Sequence, residues 1–218
     1  MKSPNITGII LAGGKSTRIG YNKSFLKIGE CYLIDRVIDI LSQFTSSVLI
    51  VTNEDQFDLV KTHTLRARVL EDICPGKGPL GGIYTGLFYA ENAQSLVVGC
   101  DMPFLNSDLI NYLIDRAADF DTVVPRIGNM IEPLHAVYSK NCMPSIESLI
   151  HAGKLQISKL FDLVDTKYVM ESEINMFDPD HLSFLNINTE SDLTKAKLLI
   201  RHVDGKRIDN KDGSFIVK

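Results

Sequence analysis

The sequence predicts an α/β fold, a mostly parallel sheet covered by helices on both faces. Three observations predict it. Strand-like and helix-like segments alternate through most of the 218 residues, and β-α-β alternation implies parallel strands joined by crossover helices. The runs at Ile6–Leu11, 47–52 and 96–100 are largely apolar along their length, as strands buried on both faces require. Each of these runs ends in glycine or polar residues, and ligands of such sheets sit beyond the C-terminal strand ends.

The elements follow in order. Ile6–Leu11 is a first, buried strand. A glycine-rich loop separates it from a helix with Leu33, Ile34, Val37, Ile38 and Leu41 on one face. Residues 47–52 form a second strand, 55–63 a short helix and 67–70 a third strand leading into Glu71 and Asp72. Residues 81–90 (GGIYTGLFYA) read as a helix despite their glycines, 96–100 as a fourth strand and 107–118 as a helix. Strands are expected at 122–125 and 134–139, helices at 143–151 and 155–163, and short strands at 168–170 and 184–187. Thr189 has N-cap chemistry and Asp192 supplies the N3 acid, so a capping box starts a final helix there. With no internal repeat or low-complexity tract, one domain is expected over residues 1–200, followed by a polar, loosely held tail at 201–218.

Composition narrows the function. The chain is 44% hydrophobic and 23% charged, with a net charge of -4, ordinary for a globular protein. That balance gives no reason to expect nucleic acid or an anionic membrane as partner, so any anion site must come from a local cluster. No apolar run approaches the roughly 20 residues that cross a bilayer, and the N-terminus moves directly into a strand, against a cleaved signal peptide. Cys31, Cys74, Cys100 and Cys142 are scattered without a C-x-x-C pair, which speaks against a zinc or dithiol site and for free thiols in the cytoplasm.

The loop after the first strand carries the chemistry. Gly13 and Gly14 let backbone N–H groups converge on an anion, while Lys15, Arg18 and Lys23 supply charge-assisted donors to phosphate oxygens. A nucleoside triphosphate is the natural guest. The loop is not a Walker A motif, because Ile9 stands where the leading glycine belongs. Nor is it the dinucleotide fingerprint, since Lys15 and Ser16 fall where its second glycine belongs. Asp101, at the end of the fourth strand, faces the same sheet edge and is placed to hold Mg²⁺ against triphosphate oxygens.

The run from Leu11 to Lys23 resembles L-A-G-G-x-S-x-R-x-G-x-x-K, the signature of nucleotidyltransferases. Cys100-Asp101-Met102-Pro103, Pro79-Leu80-Gly81-Gly82-Ile83, Pro133-Leu134-His135-Ala136 and Asn186-Ile187-Asn188-Thr189 are similar to segments of the molybdenum cofactor guanylyltransferase family. The resemblance covers roughly residues 8–199. Where the family has N-I-N-T-P-E-D-L, this chain has Glu190 and Ser191 and lacks the proline.

That resemblance implies a Rossmann-like three-layer α/β/α sandwich of the nucleotide-diphospho-sugar transferase type and transfer of GMP from GTP to molybdopterin. Arg18, Lys23 and Asp101 would be catalytic. Leu11, Ala12, Gly13, Gly14, Lys23, Asn53, Asp72, Gly81 and Asp101 would bind GTP. Asp101 and Asn188 would bind Mg²⁺, and His135, Asn186 and Asn188 would bind molybdopterin. Other cofactor-biosynthesis proteins and recipient molybdoenzymes are the implied transient partners. The competing readings are a cytidylyl or sugar- or polyol-phosphate nucleotidyltransferase, and a noncatalytic nucleotide-binding chaperone. The paired glycines of the loop favour the guanylyl reading, and retention of Lys23, Asp101 and Asn188 together favours an enzyme.

Overall fold

Strand β1 (Ile6–Leu11) is an inner strand of the sheet. A short hairpin of β2 (Lys27–Ile28) and β3 (Cys31–Tyr32) leads into α1 (Leu33–Leu41), β4 (Ser47–Thr52) and α2 (Glu54–His63). Then come β5 (Arg68–Glu71), α3 (Gly78–Tyr89), β6 (Gln94–Gly99) and α4 (Ser107–Asp115). The second half contributes β7 (Thr122–Ile127), β8 (Met130–Ile131), β9 (His135–Ser139) and α5 (Met143–His151). It closes with β10 (Thr166–Met170), α6 (Glu171–Ile174) and α7 (Glu190–Lys211). The computed structural model describes residues 5–13 and 25–211, the last eleven of these as helix backbone.

The strand order is β10-β7-β9-β6-β1-β4-β5, with β8 on the flank of β7. β1 pairs in parallel with both β4 and β6, and β4 with β5. β9 is inserted antiparallel between β6 and β7, which leaves β7 and β10 pointing the same way as β1. The mostly parallel, helix-covered sheet is therefore as the sequence predicts.

Side chains alternate between two cores, as the two-residue period of a strand dictates. Ile10, Ile50, Leu96, Val98 and Val137 pack with α1 and α4 on one face. Ile9, Leu49, Val51, Val97 and Ala136 pack with α3 and α5 on the other. The glycines of α3 explain themselves here: a Cβ on Gly86 would stand 2.6 Å from Ile9 Cγ2, and one on Gly82 3.1 Å from Leu11 Cδ2. At these two positions the helix lies so close to β1 that a Cβ would crowd the Ile9 and Leu11 side chains.

Three expectations from the sequence are corrected. Residues 155–163 hold only a 3-10 turn at Ile157–Lys159 rather than a helix. Successive i→i+3 bonds, from Lys159 N to the Gln156 carbonyl and from Leu160 N to the Ile157 carbonyl, satisfy the backbone while Leu160 and Phe161 anchor the run in the core. Residues 184–187 form no strand: a 3-10 turn occupies Leu182–Phe184, and beyond it Ile187 N bonds the Asp101 carbonyl at the sheet edge without a ladder forming. Nor does the final helix stop near 201. It runs to Lys211, since its lysines, leucines and arginines are good helix formers and one interior glycine costs only about 1 kcal/mol.

Candidate active site

The parallel strands end level with one another. Leu11 is opposite both Val51 and Gly99, and Thr52 is opposite Glu71. One further ladder bond pins the first residue or two beyond the strands: Ala12 N donates to the Val51 carbonyl at 2.8 Å, Cys100 N to the Leu11 carbonyl at 3.1 Å and Asp72 N to the Thr52 carbonyl at 2.8 Å. Ala12, Gly13, Asn53, Asp72 and Asp101 are thereby brought to one edge, where with Leu11 they line a cavity of about 750 Å³. That is ample for a nucleotide. The first turn of α3 closes the side of the cavity with Gly78, Pro79 and Gly82, and the positive end of that helix favours a polar or anionic guest.

Each expected residue has a definite place. Gly13 lies so near the second strand end that a Cβ would be 3.3 Å from Asn53 N. Asp72 Oδ1 accepts hydrogen bonds from Cys74 N at 2.9 Å and from the Thr85 hydroxyl at 2.7 Å, so this carboxylate also ties the loop after β5 to α3. Gly81 does not line the cavity. A Cβ there would meet the Cys74 carbonyl at 2.7 Å, so its bareness serves the packing of the first turn of α3 on that loop. Gly14, Arg18 and Lys23 lie outside the described residues.

Asp101 and the two asparagines converge through the backbone. Ile187 N donates to the Asp101 carbonyl at 3.0 Å, which brings the Asn186–Asn188 segment alongside the end of β6. Asn186 Nδ2 donates to the Phe184 carbonyl at 3.3 Å. Behind Asn188 the expected capping box is formed: Asp192 Oδ2 accepts from Thr189 N at 2.8 Å and Asn188 N at 3.0 Å, and Thr189 Oγ1 accepts from Asp192 N at 3.1 Å. The hydrogen bonds from Thr189, with that from Asn188 N, hold the Asp192 carboxyl below its ordinary range.

His135 sits one residue inward from Leu134, which lines the cavity, and is itself fully buried. Its ring lies 5.3 Å from that of Phe184, and neither ring nitrogen has a hydrogen-bond partner among the described residues. Burial pushes its pKa down to about 4, against a smaller opposing pull from Asp178, so the imidazole is neutral at pH 7.

A divalent cation is tested by its donors. Among the described residues no group of three or more His, Cys, Asp and Glu side chains gathers as a metal cage. One carboxylate, Asp101, with an amide side chain on the neighbouring segment is instead the sparse set of hard oxygen donors that suits Mg²⁺, which takes its remaining ligands from water and phosphate.

Two features of the site are not foreseen from the sequence. Among the described residues, Thr52 Oγ1 and Asn53 Oδ1, on residues that line the cavity, are buried without a hydrogen-bond partner, and orphaned acceptors of this kind are satisfied by a guest carrying N–H donors. Thr85, which orients Asp72, is invisible in sequence because its partner lies thirteen residues away, beyond the end of β5.

Comparison with known proteins agrees with this geometry. Residues 8–166 match the model of the MobA-like NTP transferase domain. A probable molybdenum cofactor guanylyltransferase of Pelotomaculum thermopropionicum is 38% identical over 88% of this chain and 92% of its own length. A protein of the same description from Peptoclostridium acidaminophilum is 36% identical over 86% of each chain. The solved structure of molybdopterin-guanine dinucleotide biosynthesis protein A from Archaeoglobus fulgidus superposes with a TM-score of 0.79 at 25% identity, covering 90% of this chain and 100% of that one.

Proposed function

The chain belongs to the MobA-like NTP transferase domain family, and on that premise we propose that it is a GTP:molybdopterin guanylyltransferase. It would transfer GMP from GTP to the terminal phosphate of molybdopterin and release pyrophosphate. The observation that carries this reading is the bond between Cys100 N and the Leu11 carbonyl, which sets the start of the glycine loop and Asp101 against one cavity. Residues 1–200 act as the nucleotidyltransferase unit, and its place of action is the cytoplasm.

An oxygen of the molybdopterin phosphate attacks the α-phosphorus of GTP in line, and the bond to the pyrophosphate oxygen breaks. The attacking oxygen is already anionic, so no general base is required. Catalysis is then positioning and charge neutralisation. Mg²⁺, held by Asp101 and Asn188, supplies positive charge to the phosphate oxygens when bound. Lys23 and Arg18 neutralise the triphosphate and the leaving group, with the amides of Gly13 and Gly14. Leu11 and Ala12 meet the guanine edge with backbone groups, while Asn53 and Asp72 meet the guanosine. Gly81 supports this wall from behind. On the acceptor side, Asn186 and Asn188 face molybdopterin, and neutral His135 sits behind them. Transient contacts with other cofactor-biosynthesis proteins and recipient molybdoenzymes complete the role.

The test is direct: incubate the protein with molybdopterin, Mg²⁺ and labelled GTP or CTP. Formation of the guanine dinucleotide with pyrophosphate release is expected. Product from CTP alone would overturn the choice of base, and tight nucleotide binding without pyrophosphate release would make the protein a carrier.

A further inference from the structure

We infer that Arg126 reads the ring end of the acceptor, on the stretch of sheet edge beyond Leu134, and so sets which phosphorylated heterocycle receives the nucleotidyl group. The inference rests on the transfer reaction proposed above and assigns a specificity residue that reaction does not name.

Register fixes where Arg126 stands. Leu96 of β6 and Val123 of β7 are both opposite Val137 of β9. Three residues further along each parallel strand, Arg126 is level with Gly99, on the edge that carries Asp101. Two strand spacings separate them, about 10 Å along that edge. The side is the same as well. Val97 and Val124 both pack in the core beneath α3 and α5, so the positions two residues on, Gly99 and Arg126, face the side on which the cavity opens. Leu134 bridges the gap: it lines the cavity, and its carbonyl accepts from Gly99 N at 3.2 Å.

The guanidinium is held rather than loose. Its Cζ lies 5.6 Å from the centre of the Tyr168 ring on β10, and Nε donates to the Gly128 carbonyl at 3.2 Å. A cation on an aromatic face with one N–H engaged has its plane set in advance. Among the described residues no carboxylate comes within ion-pair distance of it. The two terminal amino groups therefore present a positioned, un-neutralised fork of donors. Such a fork matches two neighbouring acceptor atoms on a planar partner. With the acceptor phosphate at Asp101, what lies one ring system further along this edge is the carbonyl-bearing bicycle of a pterin. A solvent-facing arginine serving only solubility would be exposed and unstacked, whereas this one is half-buried.

The experiment compares wild type with Arg126→Gln and Arg126→Lys, using metal-free molybdopterin, GTP and Mg²⁺, and measures pterin binding directly by titration without GTP. Loss of a charge-assisted contact should raise the pterin KM and Kd about tenfold in Arg126→Gln and less in Arg126→Lys. The KM for GTP, kcat and the melting temperature should match wild type. An unchanged pterin Kd overturns the inference, and so does an equal rise in the KM for GTP, which would mark a general disturbance of the cleft. A penalty appearing only with molybdenum-loaded pterin would move the contact from the ring to the metal centre and overturn it too. If wild type binds the pterin but transfers nothing, the transfer reading fails, and Arg126 is judged on the titration alone.

Discussion

Gly99 lies directly under the carboxylate of Asp101: a Cβ on Gly99 would stand 2.7 Å from Asp101 Oδ1. The contact is with the tip of a short side chain at a strand end, so an added methyl displaces the carboxylate and leaves the fold alone. Gly99→Ala should therefore lower turnover about 100-fold, the scale of an ångström's misplacement in a positioned site. Its stability should stay within about 1 kcal/mol of wild type. Steady-state guanylyl transfer and a thermal melt check both parts, with Asp101→Ala as the comparator for full loss. Wild-type turnover in Gly99→Ala would mean that the carboxylate does its work from another position.

Asp72 depends on Thr85. The Thr85 hydroxyl donates to Asp72 Oδ1 at 2.7 Å from within the buried face of α3. Thr85→Val keeps the shape and removes the donor. It should cost about 1–2 kcal/mol in a urea melt and weaken GTP several-fold, because the freed carboxylate no longer keeps its orientation. Titration with GTP reads the second effect, and an unchanged Kd would confine Asp72 to holding its loop.

What the sequence revealed, and what it hid, divides by the range of the interactions. The parallel strands were legible because burial on both faces demands runs such as SVLIVT, and the capping box because Thr189 and Asp192 are three residues apart. Asp101 was legible because strand ends of this topology meet at one edge, whereas Asn53 came only with the family resemblance. The antiparallel insertion of β9 between β6 and β7 was not legible, since nothing in HAVYS encodes its partners. Residues 155–163 misled because Leu160 and Phe161 at buried positions satisfy a helical period as readily as a run of turns. The glycines of α3 looked like helix weakeners until β1 was placed against them.

Gly86 makes that last point measurable. Its absent side chain admits Ile9, whose Cγ2 and Cδ1 would lie 2.6 and 2.7 Å from a Cβ, and Ile9 is fully buried in the core. Gly86→Ala gains about 1 kcal/mol of helix propensity but overpacks the core by about 1–3 kcal/mol. The sum should be a modest loss of stability. Ile9→Ala in the same chain removes the collision, so the double mutant should be more stable than the sum of the single effects predicts, by about 1 kcal/mol. Additive effects in denaturant melts would show that α3 has room to withdraw from β1. Such a withdrawal would also shift Gly78 and Pro79 and widen the cavity they line.

His135 should make stability depend on pH. Its folded pKa is depressed to about 4 from an ordinary 6.5, chiefly by burial beneath Phe184, and Asp178 offsets this only in part. Asp178 is itself committed to Leu182 N and Ser183 N at 3.0 and 2.8 Å. Below pH 6.5 the unfolded chain takes up a proton that the folded chain refuses. This histidine's effect is therefore absent at pH 7 and destabilising as pH falls, levelling off near pH 4, where the folded form protonates too. Between pH 7 and 4.5 the cost should reach about 2–3 kcal/mol. Urea melts of wild type and His135→Leu at the two pH values isolate it, because carboxylates elsewhere titrate alike in both proteins. The stability of wild type relative to the variant should fall by that amount at the lower pH. A difference that stays constant would mean that the imidazole reaches water, or a partner able to hold it charged, within the folded protein.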